Sequence, residues 1–116
     1  MNTNTAALAY AYYSAMSKKN IAELENYLYP QVQLSSPVTQ FTGKIAVLDA
    51  IKKFTDFFTS LTIRAHFGSG DQAVVVYDVE FAAPSGKVRS VAFMTFQDGL
   101  IATIELIFDA RPFDKK

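Results

Sequence analysis

Cysteine is absent from the 116 residues. Disulfides, thiolate nucleophiles and Cys-ligated zinc or iron–sulfur sites are therefore excluded. This fits a reducing compartment, and a cytoplasmic location is expected. An excess of charge of one sign is also missing, because eleven Lys and Arg balance eleven Asp and Glu. A neutral chain has no net field to attract nucleic acid or an anionic membrane. Neither Lys18-Lys19 nor Lys115-Lys116 makes a basic patch. Neutrality also removes a brake on self-association. Histidine occurs once, at His66; without a second His or a Cys it is a poor metal ligand, so no metal and no cofactor are expected. No run of about 18 apolar residues exists, so no membrane-spanning helix is expected. Met1–Thr5 lacks the charged start and apolar run of a secretory leader. Without a repeat, low-complexity tract or linker, the chain reads as one domain over residues 1–116. A domain of that size buries roughly two-thirds of its unfolded-chain surface.

Half of the residues are hydrophobic, and their spacing changes along the chain. Leu8, Tyr12 and Met16 recur every four positions in an Ala-rich segment, which predicts an amphipathic helix over roughly 4–17. Asn20 with Glu23 three positions on resembles a capping box. It opens a second helix with Ile21, Leu24 and Leu28 inward, ended by Pro30. Residues 31–35 read as a short strand broken by Ser35-Ser36-Pro37. Thr42-Gly43 opens a third helix carrying Val47, Ile51, Phe54 and Phe58. Asp49 and Asp56 fall off that stripe and are expected to face solvent.

From Leu61 the period becomes two, the mark of strands with one buried face. Turns at Gly68–Asp71, Ala83–Gly86 and Asp98-Gly99 separate four strands, the last ending near Asp109. A turn centred on Pro84-Ser85 sets Glu80 opposite Arg89 and Tyr77 opposite Ala92. A three-residue loop at Asp98–Leu100, with a bulge, pairs Met94 with Ile104 and Ala92 with Leu106, keeping apolar partners on one face. The covered face then carries Ala65, Val75, Tyr77, Val79, Phe81, Ala92, Met94, Phe96, Ile104, Leu106 and Phe108. The reverse face carries Asp78, Glu80, Arg89 and Glu105 around an apolar patch of Val76, Val91, Phe93 and Ile107. A patch rimmed by charge suggests an interface, and a two-fold axis lets it pair with itself. A homodimer through the back of the sheet is expected.

The order helix, short helix, short strand, long helix and four antiparallel strands resembles the nuclear transport factor 2-like superfamily, within it the SnoaL-like and ketosteroid isomerase-like group. The resemblance spans about residues 5–110. It rests on Tyr12-Tyr13-Ser14-Ala15-Met16, Leu28-Tyr29-Pro30, Ser36-Pro37 followed by Gly43, Val79-Glu80-Phe81 and Ile107-Phe108. It implies an α+β, cone-shaped NTF2-like fold, with three N-terminal helices packed on a curved, mostly antiparallel sheet around a pocket. It implies too that isomerases of the group use a tyrosine on the first helix and two carboxyl groups. The tyrosine matches Tyr12, but the base position falls on Ser36 and the acid position on Ala92, neither of which can do that chemistry at neutral pH. The Asp–Arg–Asp arrangement of the family's epoxide hydrolases has no counterpart on the covered face, since Asp78, Glu80 and Arg89 point away.

The resulting expectation is a protein binding a small hydrophobic molecule, of aromatic, polyketide-like or steroid-like character. Tyr12, Ser36 and Tyr77 are its polar anchors, and Met16, Phe54, Phe58, Val79, Ala92, Met94, Leu106 and Phe108 form its wall. Two alternatives stand beside it. One is an isomerase, cyclase or dehydratase in which Tyr12 polarises a carbonyl, with Asp78, Glu80 or His66 as acid–base group. The other is a transport-factor-type module that binds another protein. His66 itself reads as a surface residue on the polar side of its strand, beside Arg64.

Overall fold

The computed structural model describes residues 4–82 and 86–109. Three helices pack on a curved six-stranded mixed sheet. Helix α1 is Thr5–Ser17 and α2 is Ile21–Glu25; strands β1 (Leu28–Ser35) and β2 (Gln40–Thr42) come next, then α3 (Lys44–Phe57). The chain closes with β3 (Phe58–Ser69), β4 (Gln72–Phe81), β5 (Lys87–Gln97) and β6 (Leu100–Phe108). The third helix thus lies between strands instead of ahead of them all. The sheet order is β2-β1-β6-β5-β4-β3; β1 runs parallel to β6 and every other pair is antiparallel.

Caps set the helix starts. Asn4 accepts a hydrogen bond from the Ala7 amide at 3.0 Å. Asn20 accepts one from the Glu23 amide at 3.1 Å, and its own amide donates to Glu23 Oε1 at 3.3 Å; the reciprocal box forms as the spacing suggested. The second helix is shorter than expected. It stops at Glu25, and Leu28 and Pro30 belong to β1. Pro30 lies where the β1–β6 register shifts, between Leu28 and Gln33, a place where its missing amide hydrogen breaks no ladder bond. Phe58 likewise opens β3 instead of ending α3.

The buried side of α1 is Thr5, Ala9, Tyr12, Tyr13, Ala15 and Met16, so Tyr13 faces inward and Leu8 is only half-buried. The helix start presses on β3. Thr5 Oγ1 donates to the Gln72 carbonyl at 2.8 Å, and Gly68 is the strand residue beneath it. A Cβ on Gly68 would sit 2.5 Å from the Ala6 amide nitrogen and 2.6 Å from Thr5 Oγ1. Farther along, Lys19 Nζ donates to the Phe58 carbonyl at 2.8 Å and lies 4.7 Å above its ring. This ties the α1–α2 turn to the start of β3.

Three registers differ from simple alternation. In β3, Ile63 pairs with Tyr77 but Ala65 pairs with Val76, leaving Arg64 as the extra residue of a bulge. A bulge reverses the parity of the residues after it. Ala65 therefore moves to the back of the sheet, while His66, opposite Val75, moves to the helix side. There its ring lies 4.9 Å from that of Tyr10, so it is not beside Arg64 on the polar face. Between β4 and β5 the register is two residues from expectation: Asp78, not Glu80, faces Arg89, and Tyr77 faces Ser90, not Ala92. A two-residue slip preserves both faces, so the apolar pattern does not distinguish the two registers. The expected turn centre, Pro84-Ser85, lies outside the described residues. At the last hairpin Met94 pairs with Ile104 and Ala92 with Leu106, as expected. The chain achieves this with a two-residue turn at Asp98-Gly99 between the paired Gln97 and Leu100, followed by a bulge at Ala102. Both turn residues have positive φ, 54° and 79°, as a type I′ hairpin requires.

The core is one cluster between α1, α3 and the inner sheet face; it holds Val32, Val47, Ile51, Val75, Val79, Ala92, Met94 and Ile104. On the back, Asp78 is the exception to exposure, its side chain only 8% accessible. Arg89 grips it with two bonds, Nε to Oδ1 at 2.7 Å and Nη2 to Oδ2 at 3.1 Å. Arg64 Nε stands 3.8 Å from Oδ2.

Replacing Gly68 by Ala tests the α1–β3 contact. Forcing a methyl group into a closed backbone contact costs typically about 1–3 kcal/mol. Gly68→Ala is expected to lower the unfolding free energy by about 2 kcal/mol in urea titrations, and an unchanged midpoint would show that the helix start does not press on the strand.

Candidate functional site

Between α1, α3, the β1–β2 turn and the inner faces of β4, β5 and β6 lies a cavity of about 240 Å³. Its deep end is made by alternation. Tyr77 and Ser90 are cross-strand partners on the inner face, and α1 sets Tyr13 over them, its ring 4.6 Å from that of Tyr77. The Tyr77 hydroxyl hydrogen-bonds with Tyr13 and with Ser90. Tyr12 packs edge-on against Tyr13 at 5.0 Å and also lines the cavity. All four residues are buried. Among the described residues no side-chain nitrogen or oxygen is fully buried without a partner; each of these hydroxyls either pairs with a neighbour or opens onto the cavity.

Toward the mouth the wall becomes apolar. Phe54 stacks between Phe58 and Phe81 at 5.0 and 6.2 Å, and Phe41, Leu106 and Phe108 complete this section. Val38 and Phe57 also line the space yet are 61% and 76% exposed, which places them at the rim.

Of the residues expected at a binding site, Tyr12, Met16, Ser36, Phe54, Tyr77, Val79, Leu106 and Phe108 line this cavity. Phe58, Ala92 and Met94 do not. Phe58 is buried beneath Lys19, and Ala92 and Met94 are wholly enclosed by the core. The two-residue register difference explains Ala92: the inner position opposite Tyr77 belongs to Ser90. Ser36 borders the cavity, but its hydroxyl serves the chain. Oγ accepts from the Val38 and Thr39 amides, each at 3.2 Å, and lies 3.4 Å from the Thr39 carbonyl as donor. That uses the full capacity of a hydroxyl, so Ser36 shapes the loop and leaves the polar role to Tyr12, Tyr13, Tyr77 and Ser90. Sequence reasoning passed over Tyr13 and Ser90. Tyr13 lies one position from the four-residue stripe, and Ser90 lies inside a register that alternation leaves free to slip by two.

Among the described residues no Asp, Glu, Lys, Arg or His lines the cavity. Asp78, Glu80 and Arg89 lie on the back, and His66 sits beside Tyr10 on the far side of α1. Among the described residues no three His, Asp or Glu side chains converge as a metal site, and no helix is long and apolar enough to cross a membrane. Burial disfavours the phenolate form, so the Tyr77 phenol is pushed up to about 12. Those of Tyr12 and Tyr13 are raised further by burial and by the neighbouring phenols. The described wall therefore presents neutral hydroxyls among hydrocarbon. It can hydrogen-bond an oxygen atom, and none of the described lining residues is an acid–base group near neutral pH.

The SnoaL-like domain profile matches residues 9–104. The fold is shared with a protein from Kribbella flavida, at 22% identity and TM-score 0.87, over 93% of this chain and 88% of that one. An NTF2-like protein of unknown function from Cytophaga hutchinsonii is 17% identical with TM-score 0.83, over 97% and 96% of the two chains. A steroid delta-isomerase from Pseudomonas aeruginosa is 17% identical with TM-score 0.78, over 94% and 82%. A search of curated protein sequences finds no match.

The buried phenols make a pH prediction. In the unfolded chain they ionise near pH 10, but in the folded chain they hold their protons longer. Their contribution to stability is complete below about pH 10 and is lost as the pH climbs through the raised values. The phenolate absorbance of Tyr77 should appear only near pH 12, and that of Tyr12 and Tyr13 only above it or with unfolding. Tyr77→Phe, compared with the parent chain, should leave the spectrum below about pH 11 unchanged. Loss of phenolate signal below about pH 11 in that variant would show that the Tyr77 hydroxyl meets water.

Proposed function

The chain belongs to the SnoaL-like domain family, and from that membership and its uncharged cavity we propose that it binds a small hydrophobic molecule. The ligand's oxygen accepts from the Tyr77 hydroxyl, to which Tyr13 and Ser90 donate, with Tyr12 beside them. Its hydrocarbon part extends toward Phe54, Leu106 and Phe108. The observation that carries this reading is one cavity whose wall sets the hydroxyls of Tyr12, Tyr13, Tyr77 and Ser90 among apolar side chains, the usual make-up of a small-molecule site. Among the described residues the wall carries no charged side chain, which favours this reading over the rival one, an isomerase, cyclase or dehydratase. A buried phenol near 12 polarises a carbonyl by donating a hydrogen bond, but it is a poor proton carrier at neutral pH. That reading needs a base which the cavity wall does not supply.

A solvatochromic probe tests the site. Prodan, a neutral naphthalene ketone whose dimethylamino end would stay at the open rim by Val38 and Phe57, should gain intensity and shift to the blue with the parent protein. Ala50 is on the α3 side of the cavity, and Ala50→Trp would fill the space. It should weaken the response about tenfold or more, with the same circular dichroism and melting point; Leu106→Trp gives a second, independent filling. An equal response from parent and both filled variants would place the probe elsewhere and remove the proposal.

The proposed quaternary partner is a second copy, docked through the back of the sheet. Val76, Val91 and Phe93 are half-buried there in the single chain. Ile107 and Phe67 are 53% and 64% exposed, and the β3 bulge brings Ala65 and Phe67 to the same face. A contiguous apolar surface of this kind is the usual sign of an interface, and an isologous pair brings the same patch from both copies. Light scattering should give twice the chain mass for the parent and one chain mass for Ile107→Glu; a dimeric Ile107→Glu would place the interface on another face.

A further inference from the structure

The size and charge of the cavity narrow the ligand. An engineered apolar cavity of about 150 Å³ is filled by one benzene molecule, six heavy atoms. The present cavity, at about 240 Å³, is roughly one and a half times larger. By the same filling it encloses on the order of ten non-hydrogen atoms, which corresponds to two fused rings. A four-ring skeleton of steroid type has about twice that number and would leave half of itself outside, past Val38 and Phe57.

Charge narrows it again. An anionic ligand would lose its hydration on entry and find no cation among the described residues, since no Lys, Arg or His of theirs reaches the wall. A cationic ligand would find no carboxylate among them. Transfer of an unpaired ion into such a space is strongly unfavourable. The buried hydroxyls are those of Tyr12, Tyr13, Tyr77 and Ser90; Ser36 and Thr39 line the space beside the exposed Val38, and the Ser36 hydroxyl is engaged by its own loop. A ligand with one oxygen satisfies the buried hydroxyls, and a second polar group would have to lie at the rim beside Thr39.

Resting on the proposed binding role, we infer that the ligand class is a neutral, two-ring, mostly hydrocarbon molecule carrying a single carbonyl or hydroxyl, bound oxygen first. The steroid-like and larger polyketide-like ligands expected from family resemblance are too large to be enclosed.

Calorimetric titration of the parent protein with a graded ketone series tests the size. Acetophenone has one ring, 1-tetralone two, and androstenedione four. The second ring adds about two buried CH₂ groups, each contributing about 0.8 kcal/mol. Affinity should therefore rise about tenfold or more from acetophenone to 1-tetralone, and androstenedione should gain nothing further. Charge is tested by 2-acetylnaphthalene against 2-naphthoate at pH 7, two molecules of nearly the same shape. The carboxylate should bind at least about tenfold more weakly. If androstenedione binds tightest, or 2-naphthoate binds as well as the neutral ketone, the ligand class is overturned while binding in the cavity stands. If no member of the series binds and prodan also fails, both proposals fall.

Discussion

Asp78 is a carboxylate almost shut off from water, and the guanidinium directly across the ladder holds both of its oxygens. That one pair sets how β4 meets β5. Arg89 donates at 2.7 and 3.1 Å, and charge-assisted, two-point contacts are among the strongest hydrogen bonds a protein makes. A slip by one residue would carry Tyr77 to the back of the sheet and Asp78 into the core. A slip by two would keep the faces and leave Asp78 without its partner, a costly state for a shielded charge. The Arg89 hydrogen bonds, followed by its charge and that of Arg64, hold the Asp78 carboxyl below the usual carboxylate range. Its contribution is therefore present above that range and is lost only as pH falls through the lowered value. In the register so fixed, Tyr77 faces Ser90, and the hydroxyl end of the cavity is the result.

Much of this was legible in the residues. Alternation from Leu61 to Phe108 marked the four long strands, and apolar pairing across the last hairpin identified the Met94–Ile104 and Ala92–Leu106 partners. The family resemblance, on scattered short motifs, pointed to the helix order and to a cavity. Each feature that escaped has a physical reason. A period-two pattern determines faces but is blind to a slip of two, so Glu80 looked as good a partner for Arg89 as Asp78. The run Leu61, Ile63, Ala65, Phe67 read as unbroken alternation, although Arg64 bulges to approach Asp78. That single extra residue exchanges the sides of Ala65 and His66. Strand β2 is three residues long, too short to carry a period. Tyr13 was overlooked because Ala9 and Ala15 bury as fully as any large residue on α1 and add nothing to an apolar stripe.

The chemistry of the cavity depends on where its hydroxyls came from. Three phenols and a serine converge, yet none has a carboxylate to accept its proton, so they are fixed as neutral donors. In the related isomerases, as the resemblance implies, a protonated acid shares the oxyanion with the tyrosine and a second acid moves the proton. Here Ser90 occupies the inner position opposite Tyr77, and Ser36 spends its hydroxyl on the β1–β2 turn. Among the described residues the hydroxyl donors are present without a carboxyl group to move a proton. Hydrogen bonds made equally to a bound ground state and to a reacting one add affinity but no rate, which is why these donors argue for binding.

The same alternation links the cavity to the back of the sheet. Val76 and Asp78 flank Tyr77 in the chain, and Arg89 and Val91 flank Ser90. Tyr77 and Ser90 therefore each stand between two residues of the opposite face. The ion pair immobilises one neighbour of each. A second copy docked on the apolar patch would immobilise the other, because Val76 and Val91 are themselves cross-strand partners. With both neighbours held, Tyr77 and Ser90 lose backbone freedom without any contact made inside the cavity. Ordering that is complete before a ligand arrives is not charged against its binding. On this view the outer face of the sheet contributes to affinity for a ligand it never touches, through the pleat alone.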